Sequence, residues 1–230
     1  MQKSSGIKLR LIATALIILF GPALFYFLVS RGSNQYKTLE IYGPRDFKTG
    51  ADNTDTIYHQ ISNFSLTDQY GNSVTNLTFK NKIYVANFFF STCTTICPKM
   101  SEGLQDVAYA FKDDTLVAII SHTVNPENDS VPVLLEYSQR YKAKKGKWYF
   151  VTGNKELIYK LAREDYYLPV APGNGGIDDF IHSEKLILID SNGRIRGIYD
   201  GTDAWDIYRL KDEIKVLEYE CFGKVYQKKV

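Results

Sequence analysis

Two cysteines four positions apart, Cys93 and Cys97, are the residues of this chain best suited to chemistry. Pro98 follows the second, and Leu104, Val107, Ala108 and Phe111 recur beyond it at helical spacing. A helix should therefore begin near Cys97, with Cys93 in the loop before it. The N–H groups and dipole at a helix start favour anions and raise the thiolate fraction of a cysteine. Two thiolates within reach of each other either close a disulfide or bind a soft metal, and the spacing alone does not choose. Cys-x-x-Cys is the commoner redox spacing. Here Thr94, Thr95 and Ile96 intervene, a larger loop with more room for a metal. The plainer alternative, a pair of inert buried thiols, sits poorly with a helix start.

A metal needs further ligands, and the chain has three histidines: His59, His122 and His182. His182 follows a long Gly- and Pro-bearing stretch, 165–181, and precedes the apolar run Lys185–Asp190, so it can swing towards a site. Taken alone, such a histidine is more often structural. His122 ends an apolar strand whose C-terminal end belongs to the face that lines α/β clefts, although a polar residue leaving the core is the simpler reading. His59 looks incidental. Cys221 reads as a small buried or half-buried apolar side chain. Asp178, Asp179 and Asp203 read as solvated loop acids, Tyr166 and Tyr167 as packing residues, and Lys224, Lys228 and Lys229 as a solvated tail.

The elements that would position these residues are legible in outline. Residues 31–58 are polar and read as a linker leading to an early strand. Phe64–Val74 alternates on either side of Gly71-Asn72, a turn dipeptide, and predicts a hairpin. Ile83–Phe90 is almost continuously apolar, as is Thr115–Ile120, the pattern of strands buried on both faces. A helix is expected over about Val131–Lys142, a short strand at Trp148–Val151, and a helix capped by Asn154 and running to about Arg163. Lys185–Asp190 and Arg194–Tyr199 flank Ser191-Asn192-Gly193 as a second hairpin, and Ile207, Leu210, Ile214 and Leu217 mark a last helix over about Asp206–Glu220. Strands alternating with helices predict an α/β domain with a central mixed sheet flanked by helices. The cysteine pair after the first long buried strand suggests, partly by analogy, a thioredoxin-like fold.

Leu11–Ser30 is a run of 20 residues without a charge. At ~1.5 Å per residue it spans about 30 Å, the thickness of a bilayer's hydrocarbon core. Lys3, Lys8 and Arg10 precede it, which places the N-terminus in the cytoplasm and the rest beyond an inner membrane, in the periplasm or an equivalent space. A cleaved signal peptide is the alternative, but its apolar region runs only about 7–15 residues. The expected organisation is a cytoplasmic segment 1–10, a transmembrane anchor 11–30, a linker 31–58, a thioredoxin-like domain 59–222 and a basic tail 223–230. Without the three early cations, 25 basic residues face 26 acidic ones. That balance argues against a nucleic-acid partner. Three cysteines are too few for a disulfide-stapled scaffold.

Three segments in order resemble the Sco/SenC family. They are Phe88–Met100 around the cysteines, Val124–Asp129 before an apolar helix, and His182 followed by Leu186–Asp203. The resemblance covers about residues 60–220 and includes the anchor. It implies one copper ion, Cu(I) or Cu(II), held by Cys93, Cys97 and His182. It also implies a part in assembling the copper centre of cytochrome c oxidase, as copper donor or thiol reductant. The implied partners are a copper-bearing subunit of a respiratory oxidase and another copper chaperone or thiol reductant. Thr94 stands where the family commonly has proline, which bears on the stiffness of the loop. The chemistry of the donors agrees, since thiolates suit Cu(I) and imidazole suits both copper states. Zinc also accepts two sulfurs and a nitrogen. The alternatives are a membrane-anchored thiol–disulfide oxidoreductase using Cys93 and Cys97 as its redox pair, and a redox or copper sensor built on the same pair. A peroxidase fits less well, because its resolving cysteine is usually distant.

Overall fold

The computed structural model describes residues 14–22, 24–27, 38–49, 54–168 and 183–223. His182, Asp178, Asp179, Lys224, Lys228 and Lys229 lie outside the described residues. The chain divides into two compact units, 1–37 and 38–230. In the first, residues 14–22 and 24–27 are helical (α1). Among the described residues no helix is long and apolar enough to cross a membrane. The expected anchor, 11–30, falls partly outside them.

The second unit is built on a seven-stranded mixed sheet in the order β4-β3-β7-β6-β5-β8-β9. Beside its middle strand lies β5 (Ile83–Phe89), every residue of which is buried, as the apolar run predicts. It pairs in parallel with β6 (Val117–Thr123) and antiparallel with β8 (Lys185–Ile189). The parallel pair is joined by helix α2 (Ile96–Ala110), a crossover that antiparallel neighbours do not need. A second crossover, α3 (Val131–Arg140), leads to β7 (Trp148–Thr152), parallel to β6. The hairpin expected around Gly71-Asn72 is β3 (Ser65–Asp68) and β4 (Ser73–Thr75), and β3 extends the sheet beyond β7. On the other side β8 turns through Gly193, at φ 76°, into β9 (Ile195–Asp200). Helix α5 (Ala204–Phe222) closes the chain, capped by Asp203, whose carboxylate accepts from Trp205 N at 2.9 Å.

Period-two alternation sends successive side chains of the central strands to opposite faces. Val85 and Phe89 join Met100 and Leu104 of α2, Leu134 of α3 and Leu210 and Ile214 of α5 in one core layer. Ala86, Phe88, Ile120 and Ile187 join Phe64, Ile158 and Tyr166 in the other. Trp148 lies in the first layer at 1% exposure, and its Nε1 donates to Ser121 Oγ, which in turn donates to Asn87 Oδ1, so the polar atoms of this apolar floor are linked across three strands.

Several expectations are corrected. The segment 31–58 is not all linker. It holds an antiparallel hairpin, β1 (Arg45–Thr49) and β2 (Thr54–Tyr58), and Tyr42 bridges to Ile195 at the margin of the main sheet. The guanidiniums of Arg45, its cross-strand partner, and of the distant Arg194 lie over the Tyr58 ring at 5.5 Å and 5.1 Å. Strand β6 runs on to Thr123 and so takes His122 into its interior. The helix capped by Asn154 ends as α4 (Lys155–Lys160) and passes into a π-helical turn, Leu161–Asp165. Leu161, Ala162 and Tyr166 are buried along this turn.

Candidate metal centre

Strand β5 ends at Phe89 and the chain enters the loop that carries Cys93. Cys93 N donates to Phe90 O at 3.2 Å, closing a tight turn out of the strand. Helix α2 then starts at Ile96, which puts Cys97 in its first turn and leaves Cys93 in the loop, as the sequence predicts. Cys97 N donates to Cys93 Sγ at 3.4 Å, so the sulfur takes up one of the helix's otherwise unpaired N–H groups. The Thr95 hydroxyl lies 3.8 Å from the same sulfur. Both thiols are free and buried.

Their electrostatics differ. Burial pushes the Cys93 thiol up, but the hydrogen bonds from the Cys97 thiol and N–H and from Thr95 outweigh it and bring it below its ordinary value of 9.0. Cys97 is pushed up to about 12, first by deeper burial and then by the Cys93 sulfur beside it. The two thiols are thus unlike, Cys93 eased towards its thiolate and Cys97 held back from it. Two neighbouring soft sulfurs fit a soft metal ion and equally fit dithiol exchange.

The loop is held from below by a residue that pattern reading did not single out. Asp129, fully buried before α3, accepts from Ser91 N at 3.1 Å, from the Ser91 hydroxyl and from the Thr123 hydroxyl. Asn125 supports this turn, with its carbonyl accepting from Asp129 N at 2.9 Å and its N–H donating to Thr123 Oγ1 at 3.0 Å. Val124 N donates to Phe89 O at 2.8 Å, so the exits of β5 and β6 are tied directly as well. The only sequence signal for Asp129 was its place at the end of the Val124–Asp129 segment.

Cys93 and Cys97 are brought together, whereas His182, expected as the third ligand, lies outside the described residues. Among the described residues no group of three His, Cys, Asp or Glu side chains could hold a metal ion. His122 does not approach the cysteines. It projects from the opposite face of the sheet, stacked on Phe88 at 4.7 Å and flanked by Phe64 and Tyr166. Nor does it leave the core, for it is fully buried. Burial holds it down at about 4, Nδ1 lies 3.3 Å from Asn87 O, and among the described residues Nε2 has no hydrogen-bond partner. His59 is more than incidental. Its Nε2 lies 2.9 Å from Asp165 O and its Nδ1 3.0 Å from the Tyr167 hydroxyl, pinning the chain before β3 to the end of the π turn. Tyr166 packs in the core, Cys221 is half-buried, and Asp203 caps α5.

A family profile described as SCO1/SenC matches residues 53–216. A SCO1 protein homolog of Bacillus subtilis is 28% identical over 151 residues, which is 65% of this chain and 78% of that protein. BsSco, described as a member of the Sco family of cytochrome c oxidase assembly proteins with a disulfide switch, superposes with a TM-score of 0.61. The identity is 26%, over 72% of this chain and 95% of that one. Arabidopsis thaliana ScoI with copper bound gives a TM-score of 0.55 at 25% identity, over 68% of this chain and 97% of that one.

Proposed function

Because the chain belongs to the SCO1/SenC family, we propose that it binds one copper ion as cargo and serves the assembly of the copper centre of cytochrome c oxidase. Cys93, Cys97 and His182 are the proposed ligands. The observation that carries the reading is the pair of free sulfurs held side by side at the start of α2, Cys93 Sγ accepting from Cys97 N. Two thiolates and an imidazole suit copper in both oxidation states. Three protein ligands leave a position open, through which a ligand of the receiving oxidase subunit can enter before the ion leaves. His182 belongs to a segment between the π turn and β8, close in sequence to the strand beside β5. The copper-bound relative and the described role of BsSco in oxidase assembly support the same reading.

The proposal includes an anchor at 11–30 that holds the domain on the far side of the inner membrane. It is supported by the uncharged run and the three cations before it. A chain that leaves the membrane fraction in alkaline carbonate refutes the anchor.

A second reading rests on the unlike thiols. A depressed Cys93 beside a raised Cys97 is the asymmetry of an attacking and a resolving thiol. Copper titration of the reduced domain, wild type beside His182→Ala, separates the two. One equivalent bound, with a thiolate-to-Cu(II) charge-transfer band weakened in the variant, supports the three-ligand site. No stoichiometric binding transfers the assignment to the dithiol oxidoreductase.

A further inference from the structure

We infer that Asp129 is a positioning residue for the dithiol: its carboxylate fixes the loop carrying Cys93 through Ser91 and so sets how readily the two sulfurs act together. The inference deepens the proposed function and rests on it for the copper part alone.

The geometry is specific. Asp129 is fully buried, yet its carboxylate is spent on two donors of one residue, Ser91 N at 3.1 Å and the Ser91 hydroxyl, and on the Thr123 hydroxyl. Ser91 stands two residues before Cys93, and Thr123 closes β6. One carboxylate thus joins the loop of the site to the last residue of the neighbouring strand. Hydrogen bonds to a charged acceptor are about twice as strong as neutral ones. A buried carboxylate without its donors is costly, so the loop cannot lift away from Asp129 without penalty. From Ser91 the constraint passes through two residues to Cys93, whose N–H is held by Phe90 O and whose sulfur receives the N–H of Cys97. The start of α2 fixes Cys97 independently. The Ser91–Asp129 clasp fixes the other sulfur. Together they set the effective concentration of one thiol at the other, the quantity that governs both disulfide formation and joint binding of a metal.

Two substitutions separate positioning from mere support of the fold. Ser91→Ala removes one contact between the loop and Asp129. Thr123→Val removes the Thr123 hydroxyl's contacts with Asp129 and with Asn125 N, neither of which touches the loop. The first measurement is the equilibrium of the Cys93–Cys97 couple against glutathione in the full chain, with unfolding by denaturant measured in parallel. It needs no metal and so stands even if wild type binds no copper. Ser91→Ala is expected to lower the equilibrium constant for disulfide formation about tenfold, which is about 30 mV for a two-electron couple, together with a loss of stability comparable to that of Thr123→Val, since each removes one hydroxyl donor from the buried carboxylate. Thr123→Val is expected to lower stability and leave the constant within twofold. Cu(I) affinity, read by competition with a chromophoric chelator, should fall with Ser91→Ala by a similar factor. A folded Ser91→Ala protein whose couple stays within twofold of wild type overturns the inference. So does a Thr123→Val protein whose couple shifts as far as that of Ser91→Ala. Failure of wild type to bind copper, with the Ser91→Ala shift present, refutes the copper reading and leaves the positioning role standing.

Discussion

Replacing His122 by phenylalanine should make the protein more resistant to acid while leaving it almost unchanged at neutral pH. The ring is fully buried, its Nε2 is unpartnered, and burial holds it at about 4 against an ordinary 6.5. Below pH 6.5 the unfolded chain takes up a proton that the folded chain refuses. The stability present above 6.5 is therefore lost as pH falls towards about 4. The linkage relation gives a loss of about 2 kcal/mol at pH 5 and about 3 kcal/mol at pH 4. At pH 7 His122→Phe gives up the 3.3 Å contact of Nδ1 with Asn87 O but also removes an unsatisfied buried nitrogen. Those effects are each about 1–2 kcal/mol and of opposite sign. The flanking rings of Phe88, Phe64 and Tyr166 suit an aromatic replacement. Urea denaturation of both proteins with the thiols reduced, at intervals from pH 7 to 4, gives a difference curve in which the carboxylates common to both cancel. With a slope of about 2 kcal/mol per M urea, the midpoints should diverge by about 1 M at pH 5. A difference that stays constant from pH 7 to 4 would show that His122 gains a proton without cost, and the account of its burial would fail.

Glu218 should act with the opposite sign. Burial, then the Asp114 carboxylate beside it, push Glu218 up to about 8, so stability present at pH 4.5 is lost as pH rises through about 8. Glu218→Gln should flatten the fall in urea midpoint between pH 5 and 8, and an unchanged slope would assign that fall to other groups. Arg196 is buried with Asp190 at 3.1 Å and Glu220 at 2.6 Å, and it also donates to the carbonyls of Leu39 and Glu40. Arg196→Met leaves the buried Asp190 carboxylate without its cation, at about 3–5 kcal/mol. A fall in Tm of less than about 3 °C would show the pair to be dispensable.

The parts of this fold that local pattern reveals are those whose two faces meet similar surroundings along the whole element. Ile83–Phe89 is buried on both sides and reads as a strand at once. The turns at Gly71-Asn72 and Gly193 are legible because a positive φ is needed there, 79° at Gly71 and 76° at Gly193. The apolar pattern of β6 stops at Ile120 because Ser121, His122 and Thr123 are polar, yet each is buried against a partner on another element: Asn87, Phe88 and Asp129. The β1–β2 hairpin is hidden from pattern for the converse reason. Phe47 and Ile57 are exposed, and the segment gains its order from Arg194 and the Tyr42 bridge, far away in sequence. The cysteine pair was visible because its chemistry is local, whereas the Asp129 clasp was not, since Ser91 and Asp129 meet only after β6 has paired with β5.

The strand order carries one further consequence, for solubility. An open sheet ends in two strands whose outer N–H and C=O groups can recruit another chain. At one end stands β4, which has three residues and offers little length to a stranger. At the other stands β9, twice as long, where Tyr42 N donates to Ile195 O at 2.9 Å and the Arg196 guanidinium holds the carbonyls of Leu39 and Glu40 against the rim. The stretch 38–44 thus acts as a selvedge along the vulnerable border of the sheet. A chain trimmed to begin after it keeps the dithiol but loses the Leu39 side chain from the core and bares the Ile195 end of β9, where intermolecular strand addition can begin.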